Sequence, residues 1–161
     1  MKYLFDLGVK TVKTASADVV DHRIHKKIAE LGMRPIIAVG MATLSEISDM
    51  LEIYRKSKYT PTLLHCVSNY PCSHESINMA CMNTLKAEFG CDIGYSDHSI
   101  DNTAAVLSVG LGATIIEKHF TLDKNMSGPD HKASSTPAEF KSLSDAVNLA
   151  SLVMGSPEKK L

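Results

Sequence analysis

One arrangement recurs along the chain and constrains its fold more than any other feature. It is an apolar, β-branched stretch, a polar tip, and then an amphipathic segment that ends near Gly or Pro. The pattern predicts strands over 9–15, 35–39, 62–67, 92–95 and 114–119, and helices over 22–31, 44–56, 74–89, 102–110 and 137–154. Ile47, Met50, Leu51 and Tyr54 fall at helical spacing, and Gly32 and Gly90 stand after helices, where a left-handed cap residue is wanted. Strands alternating with helices at intervals of roughly 20–30 residues imply parallel βαβ units. The strand cores Ile36-Ile37, Leu63-Leu64 and Ile115-Ile116 are wholly apolar, as strands covered on both faces are. A doubly wound open sheet and part of a (β/α)8 barrel both fit. No GxGxxG and no P-loop follows any strand, which counts against a nucleotide-binding open sheet.

Composition narrows the partners. Hydrophobic residues make up 44% and charged residues 22%, ordinary for a globular domain large enough to bury a core. The net charge is −1 with no basic stripe, so neither nucleic acid nor an anionic membrane is an expected partner. Cys66, Cys72, Cys81 and Cys91 form no CxxC pair and suit a reducing compartment. The first residues carry no apolar run of signal-peptide length, and no later run has the length of a membrane span. A cytoplasmic protein is expected.

In both candidate architectures functional groups collect at the C-terminal ends of the strands. Here those ends read Lys13-Thr14-Ala15-Ser16, Val39-Gly40-Met41, His65-Cys66-Val67-Ser68-Asn69-Tyr70, Gly94-Tyr95-Ser96-Asp97-His98 and Glu117-Lys118-His119. His98 and His119 are 21 residues apart, one strand-to-strand repeat, at matching tips of consecutive strands. Parallel neighbours lie about 4.8 Å apart, so two inward imidazoles there can share one divalent ion, or else be two separately hydrogen-bonded rim histidines. Ser96 and Glu117 each precede a histidine by two positions and so share its strand face. A carboxylate there can orient a ligand, hold a water or bind a sugar hydroxyl, against the plainer reading of a Glu117–Lys118 surface pair. Lys13 and Ser16 can cradle an anion with the backbone N–H groups of the following turn, or be a solvated lysine beside a helix-capping serine. Asp130-His131 sits in a Gly-Pro turn after the last strand, where a long loop either caps the barrel or reaches substrate. Asp21-His22 marks a helix start.

At this point the residues resemble a family. Gly94-Tyr95-Ser96-Asp97-His98-Ser99, the run from Gly112 to Thr121 containing Glu117-Lys118-His119, and Gly128-Pro129-Asp130-His131-Lys132-Ala133-Ser134 resemble, in order, the signature of the N-acetylneuraminate (sialic acid) synthase family. Lys13-Thr14-Ala15-Ser16, Gly40-Met41-Ala42-Thr43 and His65-Cys66-Val67-Ser68-Asn69-Tyr70-Pro71 resemble further blocks, so that the likeness covers essentially the whole chain. The resemblance implies a partial TIM barrel, about strands four to eight with their helices. It would form one domain over 1–161, without the first three strands and without the family's small antifreeze-like C-terminal domain.

It also implies an activity. Phosphoenolpyruvate would condense with N-acetylmannosamine or a related N-acylated hexose, giving a nine-carbon 2-keto sugar acid of sialic, legionaminic or pseudaminic type plus phosphate. By resemblance, His98 and His119 hold a divalent metal, manganese in the first place, with magnesium or cobalt as alternatives. Lys13, Ser16 and Ser96 match positions for the phosphate and carboxylate of phosphoenolpyruvate. Ser68 and Tyr70 match substrate positions, and Glu117 and Asp130 match positions that act on the sugar or organise the metal. Ala17-Asp18 departs from a common Gly-Glu, Ala38-Val39 from a Ser-Thr pair, and Ser68 from a frequent Asn. Five strands cannot close an eight-stranded barrel, so a complementing N-terminal half or a homodimer is an expected partner. The alternative function is an inactive barrel fragment that needs such a half or only oligomerises.

Overall fold

The structure is a computed structural model and describes residues 1–159; the expected domain end at 161 lies outside them. Its elements run α1 (Lys2–Asp6), β1 (Thr11–Thr14), α2 (His22–Glu30), β2 (Arg34–Ala38), α3 (Leu44–Tyr54), β3 (Thr62–His65), α4 (His74–Ile77), α5 (Cys81–Phe89), β4 (Ile93–Asp97), α6 (Thr103–Gly110), β5 (Ile116–Lys118) and α7 (Pro137–Met154). Short 3-10 turns cover Ser16–Val20 and His131–Ala133. Every expected strand is present, each of the first, third and fifth shorter than its apolar run. The helix expected over 74–89 is two helices, because Asn78 takes a left-handed conformation at φ 48° and ends α4. α1 was not expected; at five residues it is too short for a periodicity to stand out, although Leu4 and Phe5 pack half-buried against the core.

All five strands are parallel and lie in the order β1-β2-β3-β4-β5. That order decides between the two architectures. A doubly wound sheet reverses direction at a switch point, whereas consecutive neighbours throughout belong to a barrel wall. The wall is strongly curved. Across a flat sheet β1 and β5 would stand about 19 Å apart, yet Lys13 Nζ on β1 lies 3.2 Å from Glu117 Oε1 on β5.

The two faces of the wall carry separate cores. Outward residues Val12, Ile37, Leu63, Ile93 and Tyr95 pack against Ile28 of α2, Ile47 and Met50 of α3, and Met82 and Leu85 of α5. Burying each such side chain is worth about 1.5–3 kcal/mol, so this layer holds the sheet to its helices. The inward face carries a small cluster, Ala38, Leu64 and Cys66, flanked by Ile36 and Ile115. Gly94 belongs to this inner face, where a Cβ would come within 2.5 Å of Leu64 Cδ2 and of the Ile115 carbonyl. A side chain there would push the inner layer apart.

Local signals set the helix starts. Thr43 and Glu46 form a reciprocal capping box at α3, and Thr136 and Glu139 another at α7, with Pro137 in its first turn. Asp21 caps α2, as expected for the first Asp-His pair. The four cysteines are free, and three of them are buried. Among the described residues no helix is long and apolar enough to cross a membrane.

Candidate active site at the strand tips

Strand alternation sends Lys13, Ser96 and Glu117 to the inner face, and each stands at or near the end of its strand. His98 and His119 each follow the last residue of β4 and β5. The imidazoles meet edge to face, with ring centroids 5.5 Å apart. Tyr70, from the loop after β3, lies over both, 4.1 Å from His98 and 5.1 Å from His119. Ser96 Oγ lies 3.3 Å from His98 Nε2, which places it on the face of its histidine as its spacing predicts. Asp130 Oδ2 stands 3.9 Å from His119 Nδ1, so the Gly-Pro turn does reach the tips. Ser16 and Ser68 join the loops after β1 and β3 through a hydroxyl–hydroxyl contact of 3.2 Å.

The Lys13 ammonium is paired with Glu117 at 3.2 Å, and the Ser16 hydroxyl contacts Ser68. Glu117 and Lys118 are not a surface pair. Glu117 faces inward to Lys13, while Lys118 turns outward to Asp97 at 2.7 Å. Glu117 Oε2 is buried and, among the described residues, has no hydrogen-bond partner. His65, also at a strand tip, faces the helices. Its Nε2–H donates to the Ile77 carbonyl at 2.7 Å and its ring stacks on Tyr95, so it is a satisfied core histidine.

The protonation state of His98 follows from its partners. Its Nδ1 lies 2.6 Å from the Val67 carbonyl, which can only accept, so Nδ1 carries the proton and Nε2 the lone pair. Burial lowers its pKa, partly offset by that hydrogen bond, and His119 lowers it further. A neutral, oriented imidazole results, the form a metal ligand needs. Among the described residues no group of three or more His, Cys, Asp or Glu is arranged around one point to hold an ion. Two imidazoles fit a divalent ion whose other positions are filled by water or substrate oxygens. Burial also raises the Cys66 thiol, leaving it a neutral member of the inner core, and raises Tyr70. A groove between α6, β5 and α7, lined by Val109, Ile116, Phe140, Leu143 and Val147, lies away from the tips and has no titratable lining residue.

Comparison with known proteins identifies the family. The chain matches the NeuB family over residues 1–159. It belongs to that family. N,N'-diacetyllegionaminic acid synthase of Campylobacter jejuni is 43% identical over 160 residues, covering 98% of this chain and 48% of the relative. Pseudaminic acid synthase of Helicobacter pylori is 35% identical over 162 residues, covering 100% of this chain and 48% of the relative. The chain thus spans about half the length of these curated NeuB relatives. A crystal structure of N-acetylneuraminic acid (sialic acid) synthetase from Leptospira borgpetersenii, in complex with citrate, superimposes with a TM-score of 0.93 at 34% identity. It covers 99% of this chain and 56% of that one. The five-stranded wall is therefore a part of a synthase-type barrel, and the family is one of acid synthases.

The most consequential pairing at the tips escaped the sequence reading. Asp97 and Lys118 are each adjacent to a candidate histidine, but only strand register makes them partners. Their alternation with Ser96 and Glu117 was the available signal.

Proposed function

We propose that this chain forms the metal-binding part of an acid-sugar synthase site that condenses phosphoenolpyruvate with N-acetylmannosamine or a related N-acylated hexose. The observation that carries the proposal is the convergence of His98, His119, Tyr70, Ser96, Glu117, Lys13 and Asp130 on one mouth. The names of the NeuB relatives support the product class, a nine-carbon 2-keto sugar acid of legionaminic, pseudaminic or sialic type. Carbon 3 of phosphoenolpyruvate bonds to the aldehyde carbon of the open-chain sugar as the carbonyl π bond opens and its oxygen takes up a proton to become a hydroxyl. Water adds at carbon 2, and the tetrahedral carbon then expels inorganic phosphate to leave the keto acid.

The ligand set suits manganese, with magnesium or cobalt as substitutes, held by the Nε2 lone pair of His98 and by His119. When bound, such an ion supplies Lewis acidity toward the sugar aldehyde. The Lys13 ammonium, with Ser16 and Ser96, holds the phosphate and carboxylate once the anion displaces Glu117 from Lys13. Glu117 Oε2 accepts a proton from the hydroxyl or water set beside it. Tyr70 and Ser68 bound the sugar side of the mouth, and Asp130 orients His119. Turnover requires the remaining barrel strands, because five strands leave the opposite wall of the pocket open.

The test is calorimetric titration of Mn²⁺ into the chain and into His98→Ala and His119→Ala. It is joined to a phosphate-release assay with phosphoenolpyruvate and N-acetylmannosamine after adding the N-terminal half of a NeuB relative. Saturable binding lost in both variants is expected. Absence of saturable binding in the folded wild-type chain would remove the metal from the proposal.

A further inference from the structure

The last rung of the β4–β5 ladder pairs Asp97 with Lys118 on the outer face of the wall. Their side chains are 0% and 2% exposed, and Lys118 Nζ lies 2.7 Å from Asp97 Oδ2. The same ammonium donates to the Ser99 carbonyl at 2.6 Å and the Asp101 carbonyl at 3.3 Å. Asp97 Oδ1 accepts from Ser99 N–H at 2.9 Å, from Ser99 Oγ at 2.7 Å and from the Tyr95 hydroxyl at 3.4 Å. Both charges are thus fully partnered in a dry setting. An apolar pair of similar volume commonly stabilises a fold as well as a buried ion pair does, so this one calls for a specific role.

Its place in the chain supplies one. His98 immediately follows Asp97 and His119 immediately follows Lys118, so each imidazole hangs one residue past the final rung. The ion pair stands directly behind both imidazoles, and through the Ser99 and Asp101 carbonyls it ties down the loop leaving His98. On the far side, Cys72 N–H bonds the His98 carbonyl at 2.9 Å and Ser135 N–H bonds the His119 carbonyl at 2.8 Å.

We propose that Asp97 and Lys118 are positioning residues that hold His98 and His119 in the edge-to-face arrangement from which both can address one ion. They touch neither substrate nor ion; they act through the two backbones. The inference rests on the metal reading above for its use, but the ring arrangement is observable without metal. A buried partner that orients a ligand typically changes metal affinity 10- to 100-fold when lost.

The experiment uses the 161-residue chain and the double variant Asp97→Asn/Lys118→Met, which removes both charges while keeping volume and the Ser99 acceptor. Three quantities are read: the urea midpoint, Mn²⁺ affinity by calorimetry, and the proton NOE between the two imidazoles in metal-free protein. The expected result is a folded variant with Mn²⁺ affinity about 10- to 100-fold weaker and the ring-to-ring NOE lost. If the double variant does not fold, Asp97→Asn alone is read the same way. Unchanged affinity and unchanged NOE in a folded variant would overturn the proposal. Failure of both variants to fold would also overturn it, because the pair would then be a condition of the fold. A wild-type chain that binds no Mn²⁺, with an NOE lost in the variant, would remove the metal reading while upholding the positioning role.

Discussion

Replacing Glu117 by Gln should make the mouth a better anion site. Glu117 Oε1 holds the Lys13 ammonium at 3.2 Å, and an entering phosphate must compete with that carboxylate. The side chains are 37% and 34% exposed, so the full low-dielectric attraction does not apply; a pair this wet contributes about 0.2–1 kcal/mol net. A second contribution comes from repulsion. A carboxylate about 6 Å from a phosphate dianion in a water-like dielectric opposes it by about 1.4 kcal/mol, less with salt. Removing both terms frees about 1.6–2.4 kcal/mol at low ionic strength, which corresponds to roughly 15- to 60-fold tighter binding of inorganic phosphate. The assay is phosphate titration followed by ³¹P NMR or calorimetry at low ionic strength, on wild type, Glu117→Gln and Lys13→Met. Glu117→Gln should tighten binding and Lys13→Met should abolish it. Unchanged or weaker phosphate binding in Glu117→Gln would refute the idea that this carboxylate competes for Lys13.

Three further outcomes follow from the interior. Tyr54→Phe removes the hydroxyl that donates to His25 Nδ1 at 2.9 Å, since His25 Nε2–H is committed to the Asp18 carbonyl at 3.0 Å. The orphaned acceptor should cost about 1–3 kcal/mol in urea unfolding, and a His25→Phe/Tyr54→Phe double variant should recover part of it. Burial lowers the pKa of both His25 and His65, so the unfolded chain binds more protons below about pH 6.5. Their contribution is complete above that pH and is lost as pH falls through the window below it; urea midpoints at pH 8 and pH 5.5 should show the drop, and a flat profile would contradict it. Met50→Ala, at a fully buried position of α3 packed on the sheet, should cost about 2–5 kcal/mol in the same measurement.

Much of the architecture was legible in the sequence because its signals are local. Strand cores such as Leu63-Leu64 and the caps at Asp21 and Gly90 depend on residues within a turn or two. The break at Asn78 was not legible, because a left-handed Asn inside an apolar helical pattern leaves no gap in the periodicity. Candidate site residues could be picked out by strand-tip position, and the inward pairing of Ser96 with His98 followed from period 2 alone. His65 was misleading for the same reason: a tip residue is equally able to face the helices, and its neighbours across the sheet decide which.

The sequence by itself determined which segments are strands, where their tips lie, and which side-chain chemistries stand there. Its hydrophobic pattern alone could not order the strands, since an apolar parallel strand pairs equally well in an open sheet or in a barrel wall; the family resemblance implied the barrel. Only the tertiary structure set β1 through β5 in consecutive order and curved them until Lys13 met Glu117 across the mouth. Only register placed Asp97 opposite Lys118, behind the two histidines. These are contacts between residues 21 or more positions apart, and their energy exists only once the chain has closed the loops between them.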